Sequence, residues 1–592
     1  MLSRSIMLIT NTATHWLPVF SLILLFHACQ TADHYDSGKP SFDLSIRLNF
    51  EPDRLNPMLS KLSGASQIEG KIFLPLADYD PIRLTYEPVL IKSIPVITAV
   101  TDGPFAGGSR YEMEIREEAR WDDSTSVTGY DYLFTMKAAW NPYLVNTAWR
   151  SNLGSVVSIE IDQENPRKIT VITRNQYILG LEVITNNDIY PGHIYDRDHL
   201  LRPYSYNDII GYDTSKHSTL DSVLRQFANQ FNDEKFSRTV ISGAGPYAFV
   251  EWIPNQHIVL RRKENWWGST FREHHPRFQA NPSSITYYFI PEAQTAITAL
   301  KDQRIDLVAE LSAEQFHELK IYNDQYQTLN LDTPQVLQYF FITYNNDHPI
   351  LGDRIVRQAI SKLMDVNSLI DKLFFGLATR TVGPIPPGSL AYDHSLEPIA
   401  FDPEGASQLL KNNGWYDSDS DQILDKVIEG RKYDLTLNIL TSNSQLSQDV
   451  AIILKAAAEK IGININIVPN ELRKILQQVR MGQFDMACLA AVQSIGPYDP
   501  YNSWHSDNIG SNGSNYSRFS NQQADRIIDQ IRTTLDEEKR LKLYKEFQKI
   551  IHEEQPTLFL VAPKTPIASS NRLRVTPTPL RPGYFENTFS LK

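Results

Sequence analysis

Cysteine is nearly absent. The two in 592 residues, Cys29 and Cys488, exclude a disulfide framework. Blocks of basic residues are absent as well. The 57 lysines and arginines are scattered among 69 acidic residues, giving a formal net charge of −12, so an electrostatic grip on phosphates has no support and nucleic acid is not an expected partner. No Gly-x-Ser-x-Gly elbow occurs, and among 69 acids carboxylate pairs are too common to nominate a glycosidase. His552-Glu-Glu-Gln-Pro556 lacks the second histidine of a zinc helix, and its proline cannot continue a helix. His274-His275 has no ligand partner at metal spacing and reads as a solvated loop. In Gly243-Ala-Gly245, Pro246 removes an N–H that a phosphate cradle would use and Ala248 breaks the glycine pattern, so a turn feeding a strand is expected. No catalytic residue, metal or cofactor is nominated.

Hydrophobic residues at 42% and charged ones at 21% describe an ordinary globular chain, and its length calls for two or three lobes. The first 28 residues carry a single charge, Arg4, and end in an apolar run, Trp16–Phe26, before Ala28-Cys29. That run of about eleven residues falls short of the ~20 that span a bilayer, so it reads as a signal peptide. A small residue before Cys29 is similar to a lipobox, with Phe26 and His27 departing from the usual pattern; a plain secretory leader is the alternative. Acylated at Cys29, the chain would sit at a membrane with residues 29–40 as a polar tether and a net charge of −13, the −12 of the whole less Arg4.

Period-two alternation predicts strands at Leu44-Ile46-Leu48, Tyr111-Met113-Ile115, Val157-Ile159-Ile161, Leu435-Leu437-Ile439 and Ile463-Ile465-Ile467. Helical spacing predicts apolar stripes over Ile355–Met364 and Leu541–Ile551, both facing a core. Residues 433–468 read as strand, helix, strand, a βαβ unit with a parallel sheet, which makes the class α/β. Cys488 lies in apolar Met486–Ala490 and is expected on a buried strand. Asp417, Asp419, Asp421 and Asp425 match positions 1, 3, 5 and 9 of a calcium loop, but Gln422 and Ile428 stand where the turn glycine and bidentate glutamate belong. A solvated loop of Asx turns is the other reading.

Six blocks occur in an order that resembles the solute-binding family serving oligopeptide, dipeptide and nickel ABC importers. They are Glu51–Pro57; Arg120–Asp131, with Ser124 where glycine is usual and Ser126 where proline is usual; Ser242–Phe249 followed by Asn265-Trp-Trp-Gly268; Asp353–Ile360 with Met364-Asp365; Phe401–Ala406 through Asn413-Gly-Trp415; and Gly482–Asp485. The resemblance implies two hinged α/β lobes with a third, small lobe inserted: lobe I from 41–76, 186–298 and 553–592, the small lobe from 77–185, and lobe II from 299–552. It implies a monomeric extracytoplasmic receptor, in the periplasm or on the outer cell surface. Such a receptor captures a peptide or peptide-like solute between its lobes and hands it to the permease subunits of an ABC importer. A ligand-sensing lipoprotein in a signalling system shares every block; an envelope hydrolase on a borrowed fold is the enzyme-class rival.

By position in the family pattern, Leu62, Ser63, Gly64, Gln493, Ser494, Ile495, Gly496, Tyr498, Trp504 and, less directly, Trp149 are candidates to line the site. Peptide-binding members carry an aspartate four residues before the proline of an acid-proline pair, where it holds the ligand's ammonium group. Here the pair is Asp499-Pro500, and Gly496 stands at that place. A buried ammonium without a paired charge costs several kcal/mol. The expectation is therefore a blocked peptide or another polar solute held by amides and aromatic faces.

Overall fold

Strands far apart in sequence collect into two large sheets, beside a four-stranded sheet and three two-stranded ones among the described residues, in the computed structural model, which describes residues 41–213, 218–510 and 513–592. The leader, Cys29 and the tether lie outside the described residues. Among those described, no helix is long and apolar enough to cross a membrane.

The first sheet has seven strands in the order Leu329–Asp332, Ile567–Ser570, Leu307–Ala309, Asp43–Leu48, Ser284–Phe289, His257–Arg262 and Tyr247–Ile253. Asp43–Leu48 runs parallel to both its neighbours. The second has six: Ala378–Arg380, Thr557–Pro563, Gln338–Tyr344, Met486–Val492, Thr436–Thr441 and Asn464–Pro469. Its βαβ unit is the expected one, with Thr436–Thr441 parallel to Asn464–Pro469 and the helix Gln445–Glu459 between them. Ser444 caps that helix by accepting from the Ser447 N–H, and Val450, Ala451, Leu454 and Ala458 are buried on one face. Cys488 sits on Met486–Val492, where burial pushes its thiol up to about 12.

A four-stranded antiparallel sheet, Ile97–Ala99, Ser109–Glu114, Lys168–Thr173 and Val156–Ile161, makes the small lobe. It does not have a core of its own. Tyr111, Val171 and Tyr132 join the same buried cluster as Leu44, Ile46 and Tyr287 of the first sheet, so the small lobe is fused to lobe I. Lobe II is packed separately around Ile342, Leu437, Ile439 and Leu454, with a further cluster around Trp504, Ile528, Phe547 and Phe559.

The expected lobe boundaries need correction. Leu307–Ala309 and Leu329–Asp332 pair with Ile567–Ser570 in the first sheet, and Thr557–Pro563 pairs with Gln338–Tyr344 in the second. The chain therefore crosses to lobe II at residues 333–337, not at 299, and returns at 564–566, not at 553. The two crossings run side by side: Gln335 and Lys564 form an antiparallel bridge, and the Thr565 N–H donates to the Pro334 carbonyl at 2.9 Å. Alternation shows that a strand is buried on one face; it does not show which sheet buries it.

The blocks that carry the family resemblance tie the lobes internally. Gly245 donates to the Ile72 carbonyl at 2.7 Å, and a Cβ at Gly243 or Gly245 would lie 2.3 Å from the Ile72 oxygen or 2.5 Å from the Lys71 oxygen. Only glycine lets the two backbones meet there. The indoles of Trp266 and Trp267 both donate to the Ala244 carbonyl, at 2.9 and 3.0 Å. Ser242 donates to Asp122, which also pairs with Lys263. Ser124, where glycine is usual, keeps the left-handed turn at φ 68°.

In lobe II the Arg357 side chain is 4% exposed and donates to the carbonyls of Leu351, Gly352, Glu554 and Gln555. Two other loops differ from or refine the expectation. His275 is not solvated: it is 1% exposed, its Nδ1 accepts from the Arg277 N–H at 3.0 Å, and burial holds its pKa down to about 4. It is recruited as the cap of a short 3₁₀ turn, Pro276–Phe278. In the loop at Asp417–Asp425 the carboxylates converge, but Lys432 pairs with Asp419 and Asp425, and Asp417 accepts from the backbone N–H groups of Ser420, Asp421 and Gln422. The lysine ammonium and Asx turns satisfy the charge that a cation would otherwise serve.

Candidate functional site

Leu62, Ser63 and Gly64 open the helix Ser63–Ile72, and a Cβ at Gly64 would lie 3.8 Å from the Leu48 side chain and 3.9 Å from the Phe50 carbonyl. They therefore stand at the carboxyl end of Asp43–Leu48, beside Phe50, whose ring is 72% exposed. Gln493–Gly496 likewise leave the carboxyl end of Met486–Val492. In open α/β sheets these strand ends are where ligands bind.

The Gln493 turn is held from behind. Its N–H donates to the Leu337 carbonyl at 2.8 Å and its side-chain amide to the Pro384 carbonyl, which anchors the turn to the crossing segment. Ser494 is exposed; Ile495 and Gly496 are half-buried. Trp504 does not line a cleft: it is 6% exposed, packs on Phe519, Phe547 and Phe559, and donates to the Tyr498 hydroxyl at 2.9 Å. The Tyr498 carbonyl in turn accepts from the Tyr544 hydroxyl at 2.6 Å. These two aromatics brace the turn through the lobe II core. Trp149, on the helix Thr147–Leu153, packs half-buried against the first core.

Residues from the opposite lobe meet this turn. A Cβ at Gly496 would lie 2.6 Å from the Tyr79 hydroxyl and 3.3 Å from Oε1 of Glu182, so any side chain at 496 would collide with Tyr79. Tyr79 belongs to the hairpin Ala77–Tyr79/Tyr86–Pro88, and Glu182 to the helix Gly180–Thr185. The Tyr79 hydroxyl donates to Glu182 Oε1 at 2.5 Å. Burial raises the Glu182 carboxyl above its ordinary value, with the tyrosine bond opposing part of that shift. Burial, then the neighbouring carboxylate, raises Tyr79 in turn, which keeps it a hydroxyl donor. Gly496 thus has a carboxylate beside it, supplied from the other lobe.

A second set of contacts crosses between the lobes. The Tyr177 hydroxyl donates to Asp499 Oδ2 at 2.7 Å, and Arg532 Nε donates to the same oxygen at 3.1 Å. The Ile178 N–H donates to the Arg532 carbonyl at 2.9 Å, and the Gln176 amide to the Thr533 carbonyl at 2.8 Å. Ile178 is buried with the Trp504 cluster of lobe II. Arg532 also lies over the Tyr501 ring, 3.9 Å from its centroid. Tyr79, Tyr177, Glu182 and Arg532 escape sequence reasoning because no local pattern marks them; Asp499 is visible only as half of an acid-proline pair.

Two lobes built on separate sheets, joined by paired crossing segments and touching again where Tyr79, Tyr177 and Glu182 meet the Gly496–Asp499 turn, define a hinged solute-binding fold. The family model of bacterial extracellular solute-binding proteins, family 5, matches residues 86–515. The chain belongs to that family, whose members are non-enzymatic substrate-binding components of ABC importers for peptides, nickel or heme. The chain is 24% identical to the oligopeptide-binding protein AppA of Bacillus subtilis over 584 residues, 95% of each chain. It is also 24% identical to the periplasmic oligopeptide-binding protein OppA of Escherichia coli over 392 residues, 64% of this chain and 63% of that one. Among solved structures, NikA of Brucella suis in complex with Fe(III)-EDTA superposes with a TM-score of 0.72 at 20% identity, covering 93% of this chain and all of that one. AppA of B. subtilis with a nonapeptide gives 0.66 at 22% identity, covering 94% and 99%.

Proposed function

We propose that this protein captures a peptide or peptide-like solute between lobes I and II, closes on it, and delivers it to an importer's permease subunits. The observation that carries the reading is the pair of crossing segments at 333–337 and 564–566, combined with contacts between the lobes at Gly496 and Asp499. A solute bridging both faces stabilises the closed form by its differential affinity. Of the sequence-nominated residues, Leu62–Gly64 and Gln493–Gly496 are the lining segments, with Tyr498 and Trp504 as their support. Full-length AppA, matched along nearly the whole chain, supports a peptide as the solute. Mass spectrometry of the solute that co-purifies, followed by small-angle scattering with and without it, tests the proposal. The radius of gyration is expected to fall on saturation; an unchanged radius refutes closure.

The protein is held at the membrane through acyl chains on Cys29, a reading supported by Ala28-Cys29 after the apolar run. Replacing Cys29→Ser is expected to release the protein from the membrane fraction; undiminished association refutes the anchor.

A further inference from the structure

Glu182 is an acid at a lobe interface with half of its carboxylate unused. Oε1 accepts from Tyr79, but Oε2 is buried and has no hydrogen-bond partner. Glu182 forms no ion pair among the described residues. Arg540, a cation whose charge reaches it, is committed through Nη1 to the carbonyls of Thr534 and Leu535. A buried acceptor left in this condition is unfavourable unless a donor arrives from outside. Opposite it stands Gly496, where a Cβ would lie 2.6 Å from the Tyr79 hydroxyl and 3.3 Å from Oε1, so the turn packs on this pair as closely as only glycine allows.

We propose that Glu182 is the counter-charge for a cationic group of the bound solute, with Tyr79 orienting the carboxylate and Gly496 letting the facing turn approach the pair closely. The assignment rests on the solute-binding reading above and narrows it: the solute carries a positive charge, and for a peptide that charge is a free amine. The acid reaches the site from the small-lobe side, so a cation held there by Glu182 and touching the Gly496 turn links the two lobes. Recognition of the charge and closure become one event.

The test offers the full chain and its Glu182→Gln variant a pool of short random-sequence peptides free of lysine, arginine and histidine, part with free amines and part N-acetylated, with retained species counted by mass spectrometry. The wild type is expected to prefer free amines, and Glu182→Gln to hold them about 10- to 100-fold more weakly with its thermal unfolding unchanged. Glu182→Asp keeps the charge but draws it back by one methylene. It is expected to weaken retention less than the glutamine does, and it serves as the informative variant if the glutamine unfolds. Equal retention of free-amine peptides by wild type and variants, or a wild-type preference for acetylated ones, overturns the assignment and leaves the solute-binding reading standing. If no peptide is retained, the peptide reading fails, and the solute that co-purifies with the wild type decides the site. A cationic solute lost from Glu182→Gln upholds it; an uncharged or anionic solute, or none, overturns it.

Discussion

Replacing Tyr177→Phe removes one hydroxyl from the contact between lobes and leaves both backbones in place. The lost bond, 2.7 Å to Asp499 Oδ2, is to a charged acceptor, a class worth about 1.5–3 kcal/mol. The low end applies, because Asp499 still accepts from Arg532 Nε at 3.1 Å and from the Tyr501 N–H at 2.9 Å, so no orphaned carboxylate is created. Arg532, at 33% exposure, also keeps the site partly screened by water. About 1.5 kcal/mol is roughly a tenfold shift of the closed form toward the open one. The co-purifying solute is then expected to dissociate about tenfold faster, since interface changes act mainly on the off-rate. A double-mutant cycle isolates the bond: adding Tyr177→Phe to Asp499→Asn is expected to cost clearly less than Tyr177→Phe alone. A dissociation rate unaltered in Tyr177→Phe, or strict additivity with Asp499→Asn, refutes the assignment of this contact to the closed state.

Glu69 is 2% exposed, and burial raises its carboxyl to about 8. The folded chain then keeps a proton that the unfolded chain has lost, so this group makes stability fall as pH rises between about 4.5 and 8, by at most about 1.4 kcal/mol per pH unit. Glu69→Gln is expected to abolish that slope in denaturant titrations; parallel pH profiles for variant and wild type refute it. Arg357→Ala deprives four carbonyls of a donor and is expected to cost about 3 kcal/mol or more in urea unfolding, whereas Arg354→Ala, at a half-exposed pair with Glu554, costs less than about 1 kcal/mol. Equal costs refute the distinction. In protein beginning at Gln30, Cys488 is expected to react with a disulfide reagent at pH 8 far more slowly than after denaturation, because its raised pKa leaves almost no thiolate; similar rates refute it.

Much of the architecture is legible in the chain itself. Leu44, Ile46 and Leu48 alternate because one face of their strand is buried, and the stripe at Val356, Ala359 and Ile360 repeats because one side of its helix meets the core. The Gly243 and Gly245 block is recognisable because a backbone contact admits no other residue there. These are local demands, and local demands leave a pattern in sequence. The lobe boundaries at 299 and 553 missed because a strand's own pattern carries no record of its partner: Leu307–Ala309 joins Ile567–Ser570, more than 250 residues away. The site follows the same rule. Gly496 was visible as a missing acid, but its consequence depended on Glu182 and Tyr79, which reach it only because the hairpin at Ala77–Tyr79 and the helix Gly180–Thr185 pack together across from lobe II. Periodicity and turn chemistry are dictated by neighbours in the chain, so the sequence by itself determined the elements, the α/β class and the family. Which charge stands opposite which gap is set by contacts over hundreds of residues, such as the 322 between Tyr177 and Asp499, and only the tertiary structure decided it.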